Sequence, residues 1–171
     1  HGAAFDGRYV YFVPNGSDVP DATSKDGVVV RFDSHASFTS ATSWEAFDAT
    51  RIDANAKGYS GAVFDGQYLY FVPYATTICA RFDTRAPFAS TSSWTTVDVG
   101  TPWGGGGTTL SGGTFDGRYL YLPADSFTDL VYRHDTQGSF TAASSWTSLQ
   151  TGGPRWFQGA AFDGRNVYLN P

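Results

Sequence analysis

The residues of this chain that could do acid–base or metal chemistry are mostly aspartates that recur along the sequence. Asp6, Asp65, Asp116 and Asp163 each precede a glycine, and four carboxylates brought into one ring could hold a metal ion. Aspartate is also favoured at a tight turn, because its side chain hydrogen-bonds the backbone two residues further on. We therefore interpret the four aspartates as turn residues and predict no metal site on them.

Other side chains that ligate metals or act as nucleophiles are scarce. The three histidines, His1, His35 and His134, and the single cysteine, Cys79, do not lie at the spacing of metal ligands. The sequence therefore predicts no metal and no cofactor. Cys79 takes a place that valine holds in the matching segments of the chain, which is typical of a buried, unreactive thiol.

A glycoside hydrolase would need two carboxyl groups placed across the scissile bond. Glu45 is the only glutamate, and it lies at the start of a predicted strand rather than in a loop of variable length. Asp18, Asp53 and Asp125 do lie in such loops and could form a pair. We predict that the protein is not an enzyme and keep the hydrolase as an alternative.

Aromatic and polar loop residues indicate a different chemistry, the binding of a sugar. Aromatic rings stack on the C–H face of a pyranose, while carboxylate, amide and guanidinium groups hydrogen-bond its hydroxyls. Trp103 lies in a glycine-rich loop that has no counterpart elsewhere in the chain. The candidate ligand-binding residues are Trp103, Trp156, Tyr59, Arg155, Asp53 and Asp125. Tyr59 aligns with Leu110 and Phe157, so packing in the interior is the alternative for that position.

These side chains must be positioned by a repeated element. The segment that runs from Gly2 to Pro14 returns at Gly61, Gly112 and Gly159. Each copy has two β-prone runs joined by Asp-Gly, which predicts two strands, A and B, and a two-residue type I′ turn. A type I′ turn has positive φ at both central residues, so we expect it at both Asp and Gly.

Two more strands, C and D, follow in the first three copies. Strand C ends at an aspartate and strand D begins at a tryptophan. These boundary residues are Asp33 and Trp44 in the first copy, Asp83 and Trp94 in the second, and Asp135 and Trp146 in the third. No window shows apolar residues at helical spacing, and Gly or Pro interrupts every stretch of that length. The sequence therefore predicts an all-β protein.

Four short antiparallel strands with a period of roughly 50 residues resemble the blades of a β-propeller. The tryptophan-bearing repeats are similar to those of bacterial and lectin-type propellers rather than to WD or kelch repeats. The resemblance covers nearly the whole chain. It implies blade 1 at residues 1–58, blade 2 at residues 59–109, blade 3 at residues 110–156, and the A–B hairpin of a fourth, incomplete blade at residues 157–171.

Three and a half blades predict self-association. Strand B has apolar residues on both faces, as at Tyr9, Val10, Tyr11 and Phe12, so each blade must be covered on both sides. Propellers close with about four to eight blades, and a partial ring would expose apolar flanks. We expect a homo-oligomer, a dimer that builds a ring of about six to eight blades.

The charge balance argues against two classes of partner. The formal net charge is −5, with 11 lysines and arginines, so no basic surface is available to neutralise a phosphate backbone and we predict no nucleic-acid partner. No long apolar run is present, and we predict no membrane partner. Few lysines and many serines and threonines favour an extracellular protein. The start at His1 rather than at methionine suggests a processed terminus or an origin in a longer chain.

The loops between strands B and C and between strands D and A vary in length, and variable loops carry function more often than the scaffold does. The predicted function is that of a non-enzymatic binding module with multivalent carbohydrate binding on the face that these loops make. The alternatives are a scaffold for protein–protein interaction, or an inactive fragment or designed variant of a larger propeller.

Overall fold

The computed structural model describes residues 2–15, 26–100, 109–125, 128–153 and 156–171. Within these ranges the chain forms three four-stranded antiparallel sheets and one two-stranded sheet. Each sheet follows sequence order from its first strand to its last. We refer to the three complete sheets as blades 1, 2 and 3 and to the two-stranded sheet as the terminal hairpin.

The strands have the following bounds. Blade 1 contains β1 (Ala3–Phe5), β2 (Tyr9–Phe12), β3 (Val28–Asp33) and β4 (Trp44–Asp48). Blade 2 contains β5 (Tyr59–Phe64), β6 (Tyr68–Pro73), β7 (Ile78–Asp83) and β8 (Trp94–Asp98). Blade 3 contains β9 (Thr114–Phe115), β10 (Tyr119–Pro123), β11 (Leu130–Asp135) and β12 (Trp146–Gln150), and the terminal hairpin contains β13 (Gly159–Phe162) and β14 (Val167–Asn170).

Helical structure is limited to short 3-10 turns in the described ranges. They lie at Ala41–Ser43, Ala49–Arg51, Thr91–Ser93 and Ala143–Ser145. Among the described residues we find no helix with the length and apolar character needed to cross a membrane. The all-β prediction is confirmed.

The Asp-Gly turns differ from the predicted type I′ turn by one position. The Asp6 amide donates to the Tyr9 carbonyl oxygen at 3.2 Å, which makes Gly7 and Arg8 the two central residues. Gly7 has a φ of 104°, whereas Asp6 does not have a positive φ. The Asp6 carboxylate instead accepts hydrogen bonds from the amides of Arg8 and Tyr9, at 2.8 and 2.7 Å. The prediction of Asp at a central position was wrong because aspartate caps the turn from its first position.

The connection between the third and fourth strands is held by the tryptophan that opens the fourth strand. In blade 2 the Trp94 indole N–H donates to the Phe88 carbonyl oxygen at 3.0 Å, and the Trp94 ring lies 4.7 Å from the Phe82 ring of the neighbouring strand. The same indole hydrogen bond joins Trp44 to Phe38 and Trp146 to Phe140. Each complete blade therefore presents a compact group of three rings.

The core lies between the blades rather than within one of them. One buried cluster joins blades 1 and 2, and a second joins blades 2 and 3. Blade 2 is consequently covered on both faces, and Leu69, Tyr70, Phe71 and Val72 are all fully buried in β6. The two-sided apolar pattern of strand B has this physical origin, because alternate side chains of one strand enter different interfaces.

The outer flanks of the array are exposed. Phe38 of blade 1 is 68% exposed, whereas its counterpart Phe88, which blade 1 covers, is 2% exposed. At the other end, Leu149 on β12 is 69% exposed, whereas its counterpart Phe47 is 2% exposed. The same repeated side chains are therefore core residues inside the array and surface residues at its ends.

The first strands of successive blades lie side by side, β1 against β5, β5 against β9, and β9 against β13. Glycine permits this approach, because a Cβ atom on Gly61 would lie 3.3 Å from the Gly112 Cα and one on Gly112 would lie 3.4 Å from the Gly159 Cα. The glycine that leads every copy of the repeat thus has a packing role at the inner edge of the blades.

Candidate functional site

The inner edges of the four sheets line a cavity of about 420 Å³, which we call the axial cavity. Its lining is small and mostly glycine and alanine, from residues 2–3, 61–62, 112–113 and 159–160. Because each of the four repeats contributes the start of its first strand, the cavity is a shared product of the array. Small side chains at these positions leave the space open.

Polar side chains complete the lining of the axial cavity. Ser60, Ser111 and Gln158 precede the leading glycine of the second, third and fourth copies, and Tyr74 and Asp125 come from loops that follow second strands. The Ser60 hydroxyl oxygen accepts from the Gly112 amide at 3.2 Å. The Ser111 hydroxyl donates to the Gln158 carbonyl oxygen at 3.3 Å. Each of these serine hydroxyls thus hydrogen-bonds the backbone of the next copy of the repeat.

Asp125 is held in place by its own backbone and by a neighbouring side chain. The Asp125 amide donates to the Thr109 carbonyl oxygen at 2.8 Å, and the Thr109 hydroxyl donates back to the Asp125 carbonyl oxygen. The Gln158 side-chain amide donates to the Asp125 carboxylate at 3.1 Å. The carboxylate is therefore oriented by contacts between blade 3 and the terminal hairpin.

The electrostatics of the axial cavity favour neutral or cationic ligands over anions. Asp125 is the one carboxylate among its described lining residues, and no lysine or arginine is part of that lining. Serine hydroxyls, a glutamine amide and backbone groups of glycine supply both donors and acceptors. This set can hydrogen-bond a ligand rich in hydroxyl groups and would repel a phosphate or carboxylate.

The six predicted ligand-binding residues are not brought together as a group. Asp125 lines the axial cavity, whereas Asp53 does not and instead accepts from the Asn55 amide at 2.8 Å in a local turn. Trp103 and Arg155 lie outside the described residues. Trp156 is 47% exposed and has a φ of 67°, and it comes two residues before Gln158.

Tyr59 is a packing residue rather than a surface binding residue. Its side chain is fully buried in the cluster between blades 1 and 2, and the centroid of its ring lies 5.6 Å from the centroid of the Phe71 ring. Burial also raises the pKa of its hydroxyl above the usual value. The aligned residues Leu110 and Phe157 are buried as well, so the interior alternative for this position is the correct one.

Sequence reasoning did not select Ser60, Ser111, Gln158 and Tyr74 as site residues. Three of them share one alignment position, directly before the leading glycine, and this was a usable signal. A position that varies among polar types while its neighbour is always glycine indicates a site at a close approach of backbones. Tyr74 lies in a loop between strands B and C, and the variable length of these loops was a second signal.

The four turn aspartates are structural, as predicted. Each carboxylate accepts hydrogen bonds from two backbone amides and from the hydroxyl of a tyrosine five residues later. In blade 2, for example, the Tyr70 hydroxyl donates to the Asp65 carboxylate at 2.8 Å. In the described part of the chain, no group of three or more His, Cys, Asp or Glu side chains is placed to hold a metal ion.

Two further chemical groups are held by the scaffold. Cys79 is fully buried, and burial raises the pKa of its thiol to about 12, so the prediction of a buried thiol is confirmed, and the raised pKa disfavours the reactive thiolate. Glu45 forms an ion pair with Arg31 at 2.9 Å on the strands of blade 1. It is not part of the axial cavity.

No family model matches the chain, and no curated protein matches it. Among solved structures, virginiamycin B lyase from Staphylococcus aureus is similar with a TM-score of 0.63 at 13% identity, over 99% of this chain and 48% of the lyase chain. Hsv2 from Kluyveromyces lactis is similar with a TM-score of 0.56 at 8% identity, over 98% of this chain and 52% of the Hsv2 chain.

The fold is a β-propeller. Both similar structures are propellers, and the four-stranded antiparallel blades of this chain match that architecture. The chain spans about half the length of these two structures. At such low identity the likeness concerns the fold alone.

Proposed function

We propose that this β-propeller chain is a binding module that holds a carbohydrate, or a similar neutral ligand rich in hydroxyl groups, in the axial cavity. The observation that carries the proposal is the set of polar side chains, Ser60, Ser111, Gln158 and Asp125, that line a cavity of about 420 Å³. That volume lies within the range of small-molecule sites, which is roughly 300 to 1,000 Å³.

The donors and acceptors of the cavity suit a sugar. A pyranose hydroxyl both donates and accepts, and serine hydroxyls together with the Asp125 carboxylate offer both roles at close range. Tyr74, which is 38% exposed at the cavity, offers an aromatic face for stacking on C–H groups. The absence of a described cationic side chain from the lining argues against anionic ligands.

The proposal is for binding without catalysis. Asp125 has no second carboxylate beside it among the described lining residues, and hydrolysis of a glycosidic bond requires a pair. The four repeats of one chain share the axial cavity instead of each forming its own copy of it. Multivalent binding would therefore come from association of chains rather than from separate sites on each blade.

Calorimetric titration of the chain with neutral oligosaccharides such as maltose and cellobiose tests the proposal. We expect saturable binding that Asp125→Asn weakens by about tenfold or more, because a charge-assisted hydrogen bond becomes a neutral one. Asp53→Asn is the matched control, since Asp53 lies in a local turn outside the cavity. Equal loss in both variants, or no binding at millimolar sugar, would contradict the proposal.

A second candidate function, association with protein, is favoured by the exposed flanks. Phe38 at one end and Leu149 at the other are each about two-thirds exposed, and apolar side chains that are core elsewhere in the array rarely remain at a free surface. We propose that two chains associate through these ends, which would bring together six complete blades and two terminal hairpins.

A further inference from the structure

Asp125 differs from every other described aspartate in what its carboxylate binds. Each of the others accepts a hydrogen bond from a backbone amide, as Asp6, Asp53 and Asp98 do at 2.8 Å from the amide two residues later. The remaining members of this set are Asp26, Asp33, Asp48, Asp65, Asp83, Asp116, Asp129, Asp135 and Asp163. In the described part of the chain, the Asp125 carboxylate accepts from the side-chain amide of Gln158 and from no backbone amide.

The Asp125 carboxylate keeps an acceptor that the described residues do not use. The Gln158 side chain donates to Oδ1 at 3.1 Å, and no described group donates to Oδ2. Asp33, Asp135 and Glu45 are paired with arginines, whereas Asp125 has no such partner in the described ranges. The axial cavity therefore contains a negative charge that no described side chain neutralises.

The two serines of the axial cavity add acceptors rather than donors. The Ser60 hydroxyl donates to the Val72 carbonyl oxygen at 3.4 Å, and the Ser111 hydroxyl donates to the Gln158 carbonyl oxygen at 3.3 Å. A hydroxyl group has one proton and two lone pairs. Because both protons are directed to the backbone, each serine presents its oxygen to the cavity as an acceptor.

The charge of the cavity and its excess of acceptors favour the same ligand group. A protonated amine carries a positive charge and three N–H donors on one nitrogen, whereas a sugar hydroxyl has a single proton. Its hydrogen bond to a carboxylate is roughly twice as strong as a neutral one. Asp125 and Ser111 are both hydrogen-bonded to Gln158, which brings a carboxylate and a serine oxygen to the same side of the cavity.

We infer that the axial cavity prefers an amino sugar to a sugar with hydroxyl groups alone, an inference that rests on the proposed carbohydrate site and specifies its ligand. The ammonium group of the sugar binds the Asp125 carboxylate and the Ser111 oxygen. The hydroxyl groups of the sugar bind the remaining polar groups of the lining.

A metal cation is a poorer occupant than an ammonium group. Calcium takes about six to eight oxygen ligands, with several carboxylates among them. Asp125 is the one carboxylate among the described lining residues, and the described ranges contain no group of three or more His, Cys, Asp or Glu side chains placed to hold a metal.

Three disaccharides with the same β-1,4-linked glucose skeleton test the inference by calorimetric titration of the full chain. They are cellobiose, the glucosamine dimer chitobiose and N,N′-diacetylchitobiose, which carry a hydroxyl, an ammonium and an acetamide group at the second carbon. In slightly acidic buffer of low salt, we expect chitobiose to bind about tenfold or more tightly than cellobiose. Acetylation should abolish this advantage, because it removes the charge.

The role of Asp125 is tested by the ratio of the two affinities. In Asp125→Asn the preference for chitobiose over cellobiose should fall to about one, because the ion pair is lost. Asp53→Asn is the matched control, since it removes the same charge from a local turn outside the cavity. An equal loss of preference in both variants would assign the effect to the net charge of −5 rather than to the cavity.

The salt dependence gives a test on the unaltered chain, which remains informative if Asp125→Asn does not fold. Raising sodium chloride from about 20 mM to about 500 mM should weaken chitobiose binding several-fold, because salt screens the ion pair. Cellobiose binding should change little over the same range.

The outcomes separate the amino-sugar preference from the carbohydrate site itself. Saturable binding of cellobiose with no tighter binding of chitobiose would overturn the preference and leave the site in place. A preference that neither Asp125→Asn nor salt reduces would also overturn it. No saturable binding of any of the three sugars would overturn the site and the preference together.

Discussion

At the scale of single residues, each turn aspartate combines three hydrogen bonds in one carboxylate. Asp65 accepts from the amides of Gln67 and Tyr68 at 2.8 and 2.6 Å and from the Tyr70 hydroxyl at 2.8 Å. Tyr70 is fully buried, so its hydroxyl has no access to water if the carboxylate is removed. Asp163 makes the same contacts with Tyr168, which is 55% exposed.

We predict that Asp65→Ala lowers the free energy of unfolding by about 2 to 4 kcal/mol, because it leaves a buried hydroxyl and two turn amides without an acceptor. Asp163→Ala should have a clearly smaller effect, since water can replace the carboxylate at the exposed hairpin. Urea denaturation followed by tryptophan fluorescence measures both. Equal losses would show that burial of the tyrosine hydroxyl does not matter.

His134 is a histidine at a position where phenylalanine stands in the other two complete blades, Phe32 and Phe82. Its ring is fully buried and stacks on Trp146 at 4.5 Å. Nδ1 lies 3.3 Å from the Ser145 carbonyl oxygen, while Nε2 has no hydrogen-bond partner among the described residues. Burial lowers the pKa of His134 to about 4.

A lowered histidine pKa makes the folded state less stable in acid. Between about pH 6.5 and pH 4 the unfolded chain binds a proton at His134 that the folded chain does not, so stability falls as the pH falls through this window. The loss should reach about 3 kcal/mol at most. We predict that His134→Phe removes this part of the acid sensitivity in denaturant titrations at several pH values.

The control for this prediction is His35→Phe. His35 is exposed, so its replacement should leave the loss of stability between pH 6.5 and pH 4 in place. An unchanged pH dependence in His134→Phe would show that other groups cause it.

At the scale of elements, the joint between two blades depends on an arginine held between two rings. Arg81 has both rings, Tyr68 and Phe140, whereas Arg133 has one described ring, Tyr119. The comparison separates the contribution of the second ring from that of the first, because both arginines hold the same position in the repeat.

We predict a coupling free energy of about 1 kcal/mol or more between Arg81 and Phe140 in a double-mutant cycle with Arg81→Ala and Phe140→Leu. The same cycle at Arg133 and Phe140 is the reference, and these residues should show no coupling because they lie on different interfaces. Chemical denaturation of the four proteins in each cycle provides the values. Additive effects at Arg81 and Phe140 would contradict the account of the joint.

The strands and their order could be predicted from the sequence because the repeat shows strands A and B four times and strands C and D three times. Asp-Gly marks the turn between strands A and B, an aspartate marks the end of strand C, and a tryptophan marks the start of strand D. The observed sheets follow these boundaries. The turn was misplaced by one residue because the Asp6 side chain competes with the backbone for the turn amides. The turn propensities of Asp and Gly alone do not predict these side-chain hydrogen bonds.

The site was harder to predict than the strands. Asp125 was predicted as a ligand-binding residue. Ser60, Ser111 and Gln158 were not, because they line one cavity only when the first strands of the four repeats come together in the fold. Asp53 resembles Asp125 in sequence, as an acidic residue in a variable loop, yet its carboxylate serves a local turn. Which side chains come together depends on how the blades are arranged, and the sequence of a single repeat does not show this.

At the scale of the whole molecule, the ends of the array predict association. Phe38 and Phe12 of blade 1 are 68% and 41% exposed, although their counterparts in blades 2 and 3 are core residues. We predict a dimer by light scattering at micromolar concentration. Phe38→Glu should shift the mass to that of a monomer, because it buries a charge in an apolar contact.

Ser37→Glu is a suitable control for the dimer, since it adds the same charge on the same exposed loop without removing an aromatic ring. A wild-type chain that stays monomeric at high micromolar concentration would contradict the prediction of self-association. It would leave the axial cavity untouched, because the four first strands that line it belong to one chain.

We propose above all that the axial cavity binds a neutral ligand rich in hydroxyl groups. The most direct measurement is a two-dimensional amide NMR titration of the chain with maltose and cellobiose. We expect saturable shifts for the amides of Gly61, Gly112 and Gly159, which line the cavity from three different repeats. We expect little change on the outer strands β4, β8 and β12. Shifts confined to the outer strands, or no saturable shift at all, would contradict it.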